Sequence, residues 1–357
     1  MASRPQPKYL QTKQKLIRMI TRGDWPAGSR FPSEAQLLRQ FEVSRPTLVR
    51  SLNDLVREGY LLRRQGKGTF VADRVDTRAT QTLVFFMEDL ALQKTGDAMH
   101  VLNPVLEGLE DAAEANNARV QSCGIPADPS ASQINDLIER TNPIAAVVYL
   151  PTTVPKLIES LARRSLPVWG IAEPLSSGKS VYIDEQQSAY IATKYLIEKG
   201  CRRIALLNGM LEMYWGFAAR ETGYKQALEE AGLKVAPKLI THYYHVLESE
   251  SGRSMMQKLL REKAQIDGVF AVTDRKAMGA IAQLQEAGVK VQEEVLITSM
   301  DDTLAQRSEV PLPAVHCPFR EMAQHAGNMA MREAANKSTS VQHAQIRLES
   351  WMVDRLN

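Results

Sequence analysis

Gly66-Lys67-Gly68-Thr69 has the residue types of a phosphate-binding loop, with glycines that let backbone approach closely and a lysine that supplies charge. Its context removes that chemistry. The loop pattern needs a glycine at position 61, where Leu61 stands, and Ser or Thr directly after the lysine, where Gly68 stands. Other catalytic signatures fail as well. FFMEDLALQKTG (85–96) occupies the place where a dinucleotide-binding G-x-G-x-x-G would follow a first strand, and the chain has neither G-x-S-x-G nor H-E-x-x-H. His242 and His245 fall in a stretch that reads as strand, so they form no metal-binding face, and no metal or cofactor is expected. Cys123, Cys201 and Cys317 are odd in number and far apart, which fits buried thiols in a reducing, cytoplasmic compartment.

Recognition chemistry remains. The stretch FPSEAQLLRQFEVSRPTLVRSL (31–52) holds two helix starts. Ser33-x-x-Gln36 has capping-box spacing. Ser44 opens a second helix with Pro46 in its first turn, where the missing N–H costs nothing. Between them lies a turn of three residues, the connection of a helix-turn-helix. Leu48, Leu52, Leu55 and Val56 form one apolar stripe on the second helix, which Gly59 should end. At about 100° per residue Arg50, Asn53 and Arg57 fall on the opposite face, with Arg45 at the tip. Arginines so placed suit a major groove. Tyr60–Arg64 and Thr69–Val71 read as a hairpin with Lys67 at its tip, the wing of a winged helix. Lys8 to Arg22 reads as a first helix, closed by the turn run GDWPAGS (23–29).

Charge supports this division. Residues 1–78 hold 16 Lys and Arg against 7 Asp and Glu, a net of +9, whereas the remainder holds 28 against 34, a net of −6. A basic head on an acidic body fits a domain that meets phosphates, although a solvated basic face has the same signature. No apolar run reaches the roughly 18 residues of a membrane span, and the first twenty residues show no signal-peptide core, so no membrane partner is expected.

The polar segment ADRVDTRATQ (72–81) reads as a linker, which divides the chain into a head (1–72), a linker (73–82) and a body (83–357). In the body, apolar runs near 82–87, 118–125, 144–150, 166–172, 203–209, 267–272 and 295–300 alternate with helical stretches. Those stretches lie near 104–116, 133–140, 154–164, 186–199, 217–231, 250–263 and 275–287. Such alternation predicts an α/β fold with parallel sheets, in two Rossmann-like subdomains whose cleft binds a ligand at the strands' carboxyl ends.

FPSEAQLL…FEVSRPTLVRSLNDLVREGYL…GKGTFV resembles the DNA-binding domain of the GntR family of bacterial transcription regulators, over about residues 8–72. The resemblance implies DNA contacts at Ser33, Ser44, Arg45, Thr47 and Gly66, to which the pattern above adds Arg50 and Lys67. It departs from the family at Ala35, where many members carry arginine or asparagine, and at Val49, where many carry arginine. Arg50, about another 100° round the helix, does not simply take over that role.

IATKYLIEKGCRRIALLNG, ARETGYKQALEEAGL, GVFAVTDRKAMGAIAQLQEAGVKV and SMDDT resemble the effector domain of LacI/GalR regulators, akin to periplasmic sugar-binding proteins. That resemblance, over about 83–357, implies a homodimer, a small effector such as a sugar in the cleft, and an effector-gripping arginine at Arg220. Asp301 is a candidate acceptor at a strand end. Asp274 reads equally as helix cap or ligand contact. Trp215 and Phe217 are either an apolar floor for a sugar ring or core. Asp184-x-x-Gln187 reads as a helix cap. Together the two parts look like a hybrid regulator of the arabinose-repressor type. The function expected is a ligand-responsive repressor on inverted-repeat operator DNA, with a sugar-binding module or enzyme bearing a degenerate head as the alternative.

Overall fold

The computed structural model describes residues 8–22, 24–41, 43–57, 59–64, 67–72, 81–88, 99–126, 128–175, 178–212, 214–245, 247–336 and 343–356. The chain forms two compact units, 1–82 with 117–119, and 83–116 with 120–357. The linker expected at 73–82 lies mostly outside the described residues.

In the smaller unit, α1 (Lys8–Arg22), α2 (Glu34–Phe41) and α3 (Arg45–Arg57) precede a hairpin of β1 (Leu61–Arg64) and β2 (Gly68–Val71). Leu16, Ile20, Leu37, Leu48, Leu52 and Leu55 close on Phe31, Tyr60 and Val71 as one core. The apolar stripe read along the sequence is therefore the buried face of α3. Gly59, at φ +77°, ends that helix, with its N–H donating to Val56 O (3.2 Å) and the Tyr60 N–H to Leu55 O (2.9 Å). Only glycine takes this left-handed position without strain.

The larger unit contains two six-stranded sheets. The first has the order β13-β7-β6-β5-β3-β4, from β3 (Thr82–Glu88), β4 (Arg119–Ile125), β5 (Ala145–Tyr149), β6 (Val168–Ile171), β7 (Lys179–Ile183) and β13 (Ala344–Leu348). Around it lie α4 (Met99–Ala115), α5 (Ala131–Thr141), α6 (Pro155–Arg163) and α11 (Phe319–Ala335). The second has the order β14-β12-β11-β10-β8-β9, from β8 (Ile204–Asn208), β9 (Ile240–His242), β10 (Gly268–Ala271), β11 (Leu296–Asp301), β12 (Ala314–His316) and β14 (Trp351–Val353). It carries α7 (Glu185–Glu198), α8 (Trp215–Glu230), α9 (Glu248–Arg261) and α10 (Asp274–Glu286). Pairing is parallel along β13-β7-β6-β5-β3 and β12-β11-β10-β8-β9, while β14 joins β12 antiparallel. The chain passes to the second sheet after β7, returns after β12 and passes again between β13 and β14.

The sequence pattern located seven apolar strands and a strand around His242, where β9 lies, but not the remaining four. Of these, β12 and β14 are only three residues long, while β7 and β13 mix polar with apolar residues. Helix α11 buries mainly small and flexible side chains, Ala323, Ala326, Ala330 and Met331 among them, so its apolar signal is weak. Glu333 fixes it to the first sheet, accepting from Trp169 Nε1 (3.0 Å) and from Lys179. Cys123, Cys201 and Cys317 are buried thiols, none of them in a disulfide.

Helices α7 and α8 touch backbone to backbone. A Cβ on Gly223 of α8 would lie 2.0 Å from Gln186 O of α7, and a backbone oxygen has little room to give. Gly223→Ala is expected to cost about 1–3 kcal/mol or more, as overpacking does. Urea unfolding of the variant measures this, and an unchanged midpoint would contradict the close crossing.

Candidate functional site

In the smaller unit the start of α2 is capped in both directions. The Ser33 N–H donates to Gln36 Oε1 (2.9 Å) and the Gln36 N–H to Ser33 Oγ (3.4 Å). Ser44 Oγ and Thr47 Oγ1 lie 2.8 Å apart at the start of α3. Beside them Arg45 is 76% exposed, with an Nε contact of 3.4 Å to Glu34. A surface pair of this kind is worth about 0–1 kcal/mol, so a base edge can displace it.

Arg50 does not join this group. Its guanidinium lies 3.8 Å from the ring centroid of Tyr9 on α1, whereas Val49 lines a groove of about 960 Å³ running from α2 past α3 to the hairpin. Arg30, Arg39 and Arg63 border that groove, and Arg63 also donates to Asn53 Oδ1 at 2.8 Å. These three arginines were not singled out in the sequence, because they sit on separate elements and share no spacing. Lys67 is exposed at the hairpin turn. Gly66 lies outside the described residues.

Lys67→Ala is expected to weaken binding to specific and random DNA alike and to flatten the salt dependence of log K by about one. Filter binding between low and moderate salt measures it. A loss confined to one sequence would contradict a phosphate contact.

In the larger unit the candidate residues converge at the carboxyl ends of the strands. Backbone strain collects there too. Leu150 after β5 (φ +46°), Ala172 after β6 (φ +73°), Asp301 (φ +95°) and Asp302 (φ +59°) are non-glycine residues in the left-handed region. Such conformations cost about 1–3 kcal/mol each and gather at ligand sites.

Asn208, ending β8, donates from Nδ2 to Phe217 O (2.9 Å) and thereby fixes the first turn of α8. From that helix Arg220 points inward, 6% exposed. Its Nε donates to Glu185 Oε2 (2.7 Å) and its Nη1 to Val272 O (2.7 Å). Tyr214 OH lies 2.7 Å from Glu185 Oε1 and 3.2 Å from Ala172 O, the latter on the first sheet. Burial alone would lower the Arg220 pKa, but the carboxylates of Glu185 and Asp301 outweigh it and raise the value, so the guanidinium stays charged. Tyr149 rises by burial and by the same two carboxylates, so it faces them as a neutral phenol.

Trp215 and Phe217 are part-exposed and pack edge-on to Tyr214, with centroids 5.8 and 5.4 Å away. Trp215 Nε1 is buried with no hydrogen-bond partner among the described residues. Asp301 is 3% exposed, and its Oδ2 lies 3.9 Å from Nε2 of His100, a residue of α4 on the first subdomain.

Asp274 is not the helix cap that its position suggested. Thr273 is the N-cap of α10, accepting from the Lys276 N–H at 3.3 Å. The Asp274 carboxylate accepts instead from Ser299 Oγ (2.6 Å) and from the N–H groups of Leu304 (2.8 Å) and Ala305 (3.1 Å). It anchors the 304–305 turn, so both of its oxygens are occupied by the protein. Burial, followed by repulsion from Asp301, pushes its pKa up to about 6.

Glu185, Tyr214, Glu248 and Lys276 are members of the cluster that sequence reading missed. Glu185 does follow Asp184, which caps α7 through the Gln187 N–H at 2.9 Å. That adjacency is a signal only once α7 is known to start at the cleft.

A family model described as bacterial regulatory proteins, gntR family, matches residues 8–71, and one described as a periplasmic binding protein-like domain matches 193–353. The chain is a DNA-binding transcription regulator in which a GntR-type helix-turn-helix domain is fused to a periplasmic-binding-protein-like domain. It is similar to a protein named arabinose metabolism transcriptional repressor from Geobacillus stearothermophilus, 24% identical over 95% of this chain and 94% of that one. A repressor named PurR from Klebsiella pneumoniae is 31% identical over 55% of this chain and 57% of its own. Among solved structures, a complex titled transcriptional regulator CelR-cellobiose matches with a TM-score of 0.64, 21% identity and 99% of both chains covered. No helix of the described residues is long and apolar enough to cross a membrane.

Proposed function

We propose that this chain is a sugar-responsive repressor of sugar-utilisation genes, acting as a homodimer on inverted-repeat operator DNA. The observation that carries the reading is the meeting of Arg220, Asp301 and the Tyr214-Trp215-Phe217 aromatic run at the strands' carboxyl ends, in a chain that also bears a winged helix. A polyol needs donors and acceptors for its hydroxyls and an apolar surface for its CH face, and this set offers both. Asp301 and the unbonded Trp215 Nε1 are complementary to hydroxyl groups, and Arg220 fixes the wall beside them. The full-length likeness to a protein named for arabinose metabolism supports the same class of ligand. On the DNA side, Arg45 reads a base edge. Ser33, Ser44 and Thr47, with Gly66 and with Lys67 at the hairpin turn, meet backbone phosphates. Arg30, Arg39 and Arg63 extend that contact along the groove.

One recognition helix makes few base contacts, so two related by a twofold axis are needed for a specific site. Effector binding shifts the population between DNA-competent and incompetent dimers through closure of the cleft. The test is a gel shift with the DNA upstream of its own gene, with and without a panel of neutral mono- and disaccharides. A retarded band whose intensity changes with one sugar is the expected result. Absence of any retarded band, or a band that no sugar alters, would overturn the reading. Light scattering should give twice the 39.9 kDa chain mass, and a monomer at micromolar concentration would contradict the dimer.

A further inference from the structure

Two cations of the ligand cleft are already matched by carboxylates. Arg220 is held by Glu185 at 2.7 Å. Lys276, in the first turn of α10 and 3% exposed, has its Nζ 2.7 Å from Glu248 Oε1, while Thr273 Oγ1 donates to Glu248 Oε2 at 2.9 Å. The Phe217 ring brings the two pairs to one wall. Its centroid lies 5.8 Å from the Arg220 guanidinium carbon and 5.5 Å from Lys276 Nζ. A third cation, Arg275, donates to His100 Nδ1 at 3.3 Å, and the other nitrogen of that ring lies 3.9 Å from Asp301. Asp301 and Asp274 repel one another, and the neighbouring Asp302 is itself paired with Arg355 (2.5 Å), so carboxylates and cations are interleaved throughout this wall.

A phosphate or carboxylate on a ligand needs charge-assisted donors whose own charge is not spent on a neighbour. In a water-poor cleft it also meets like charge that is barely screened. Neutral hydroxyls have neither requirement. We infer that Glu248 is a specificity-determining residue which, by neutralising Lys276, restricts this cleft to uncharged saccharides and excludes sugar phosphates and sugar acids. The inference rests on the sugar reading above and narrows it. It also explains why a lysine can lie buried at a site for neutral ligands.

The experiment is calorimetry and thermal shift on the full chain with L-arabinose, D-glucose, cellobiose, glucose 6-phosphate, gluconate and galacturonate. The wild type should bind at least one neutral sugar and none of the anionic ones within the same concentration range. Glu248→Gln removes the charge that occupies Lys276 and should gain at least tenfold in affinity for an anionic member. Glu248→Ser is a second, smaller replacement with the same expected gain. Adding Lys276→Met to either variant should abolish it. Wild-type preference for an anionic sugar would overturn the inference while leaving a sugar effector in place. Absence of any gain in folded Glu248→Gln and Glu248→Ser would overturn it too. Stabilisation by a non-sugar alone, such as a purine base, would overturn the sugar reading and this inference with it.

Discussion

Arg220→Ala is expected to lose about 3–5 kcal/mol of unfolding free energy, the usual cost of leaving one partner of a buried ion pair without the other. Glu185 is 3% exposed on its side chain, and after the substitution its carboxylate would keep, among the described residues, only the Tyr214 hydroxyl as donor. The carbonyl of Val272 would lose a donor as well. Sequence reading alone makes Arg220 a free fork aimed at the effector, so its removal should spare the fold. The geometry changes that expectation. Two of its nitrogens are committed to the protein, and the residue ties α7 and α8 to the end of β10. The diagnostic comparison is the double variant Arg220→Met with Glu185→Leu. Replacing both partners by apolar side chains of similar size is often neutral for stability, so the denaturation midpoint should return most of the way. The response to ligand should not return, because the polar wall of the cleft is gone. An Arg220→Ala protein as stable as the wild type would show that the pair is not buried in solution. A double variant that still responds to effector would remove Arg220 from the effector site.

Arg45→Ala should weaken binding to the specific operator by about 1–3 kcal/mol and relax specificity at one base position, with little effect on random DNA. The side chain is exposed at the first residue of α3, and its contact with Glu34 is weak enough to exchange for a base. Because a guanidinium can hold guanine in a bidentate way that an ammonium cannot, Arg45→Lys should recover only part of the loss. Competition gel shifts against operators altered at single positions measure both effects. Equal losses on specific and random DNA would reduce Arg45 to a phosphate contact. Arg50 is a useful contrast. Packed on Tyr9, it should contribute less than Arg45, and its removal should be felt partly through the α1–α3 contact.

What the sequence determined by itself was everything set by local pattern. The cap at Ser33, the turn before Arg45, the apolar stripe of α3 and the glycine that ends it are decided by residues within one or two helical turns. Each is a backbone or packing requirement that a short window contains. Most of the apolar strands, such as β3, β5 and β8, were legible for the same reason, since a strand covered on both faces reads as an unbroken apolar run. Tertiary structure alone decided which polar residues meet. Glu185 and Arg220 are 35 residues apart, Glu248 and Lys276 are 28 apart, and His100 approaches Asp301 from the other subdomain. No spacing along the chain encodes those meetings. They arise because parallel strands deliver their carboxyl ends to one edge and a backbone-close helix pair sets the heights of Glu185 and Arg220. Asp274 shows the limit most clearly. In sequence it stands where a helix cap or a ligand contact would. Burial among Ser299, Leu304 and Ala305 turns it from a cap into the anchor of the 304–305 turn, because a desolvated carboxylate takes whatever donors the fold brings within reach.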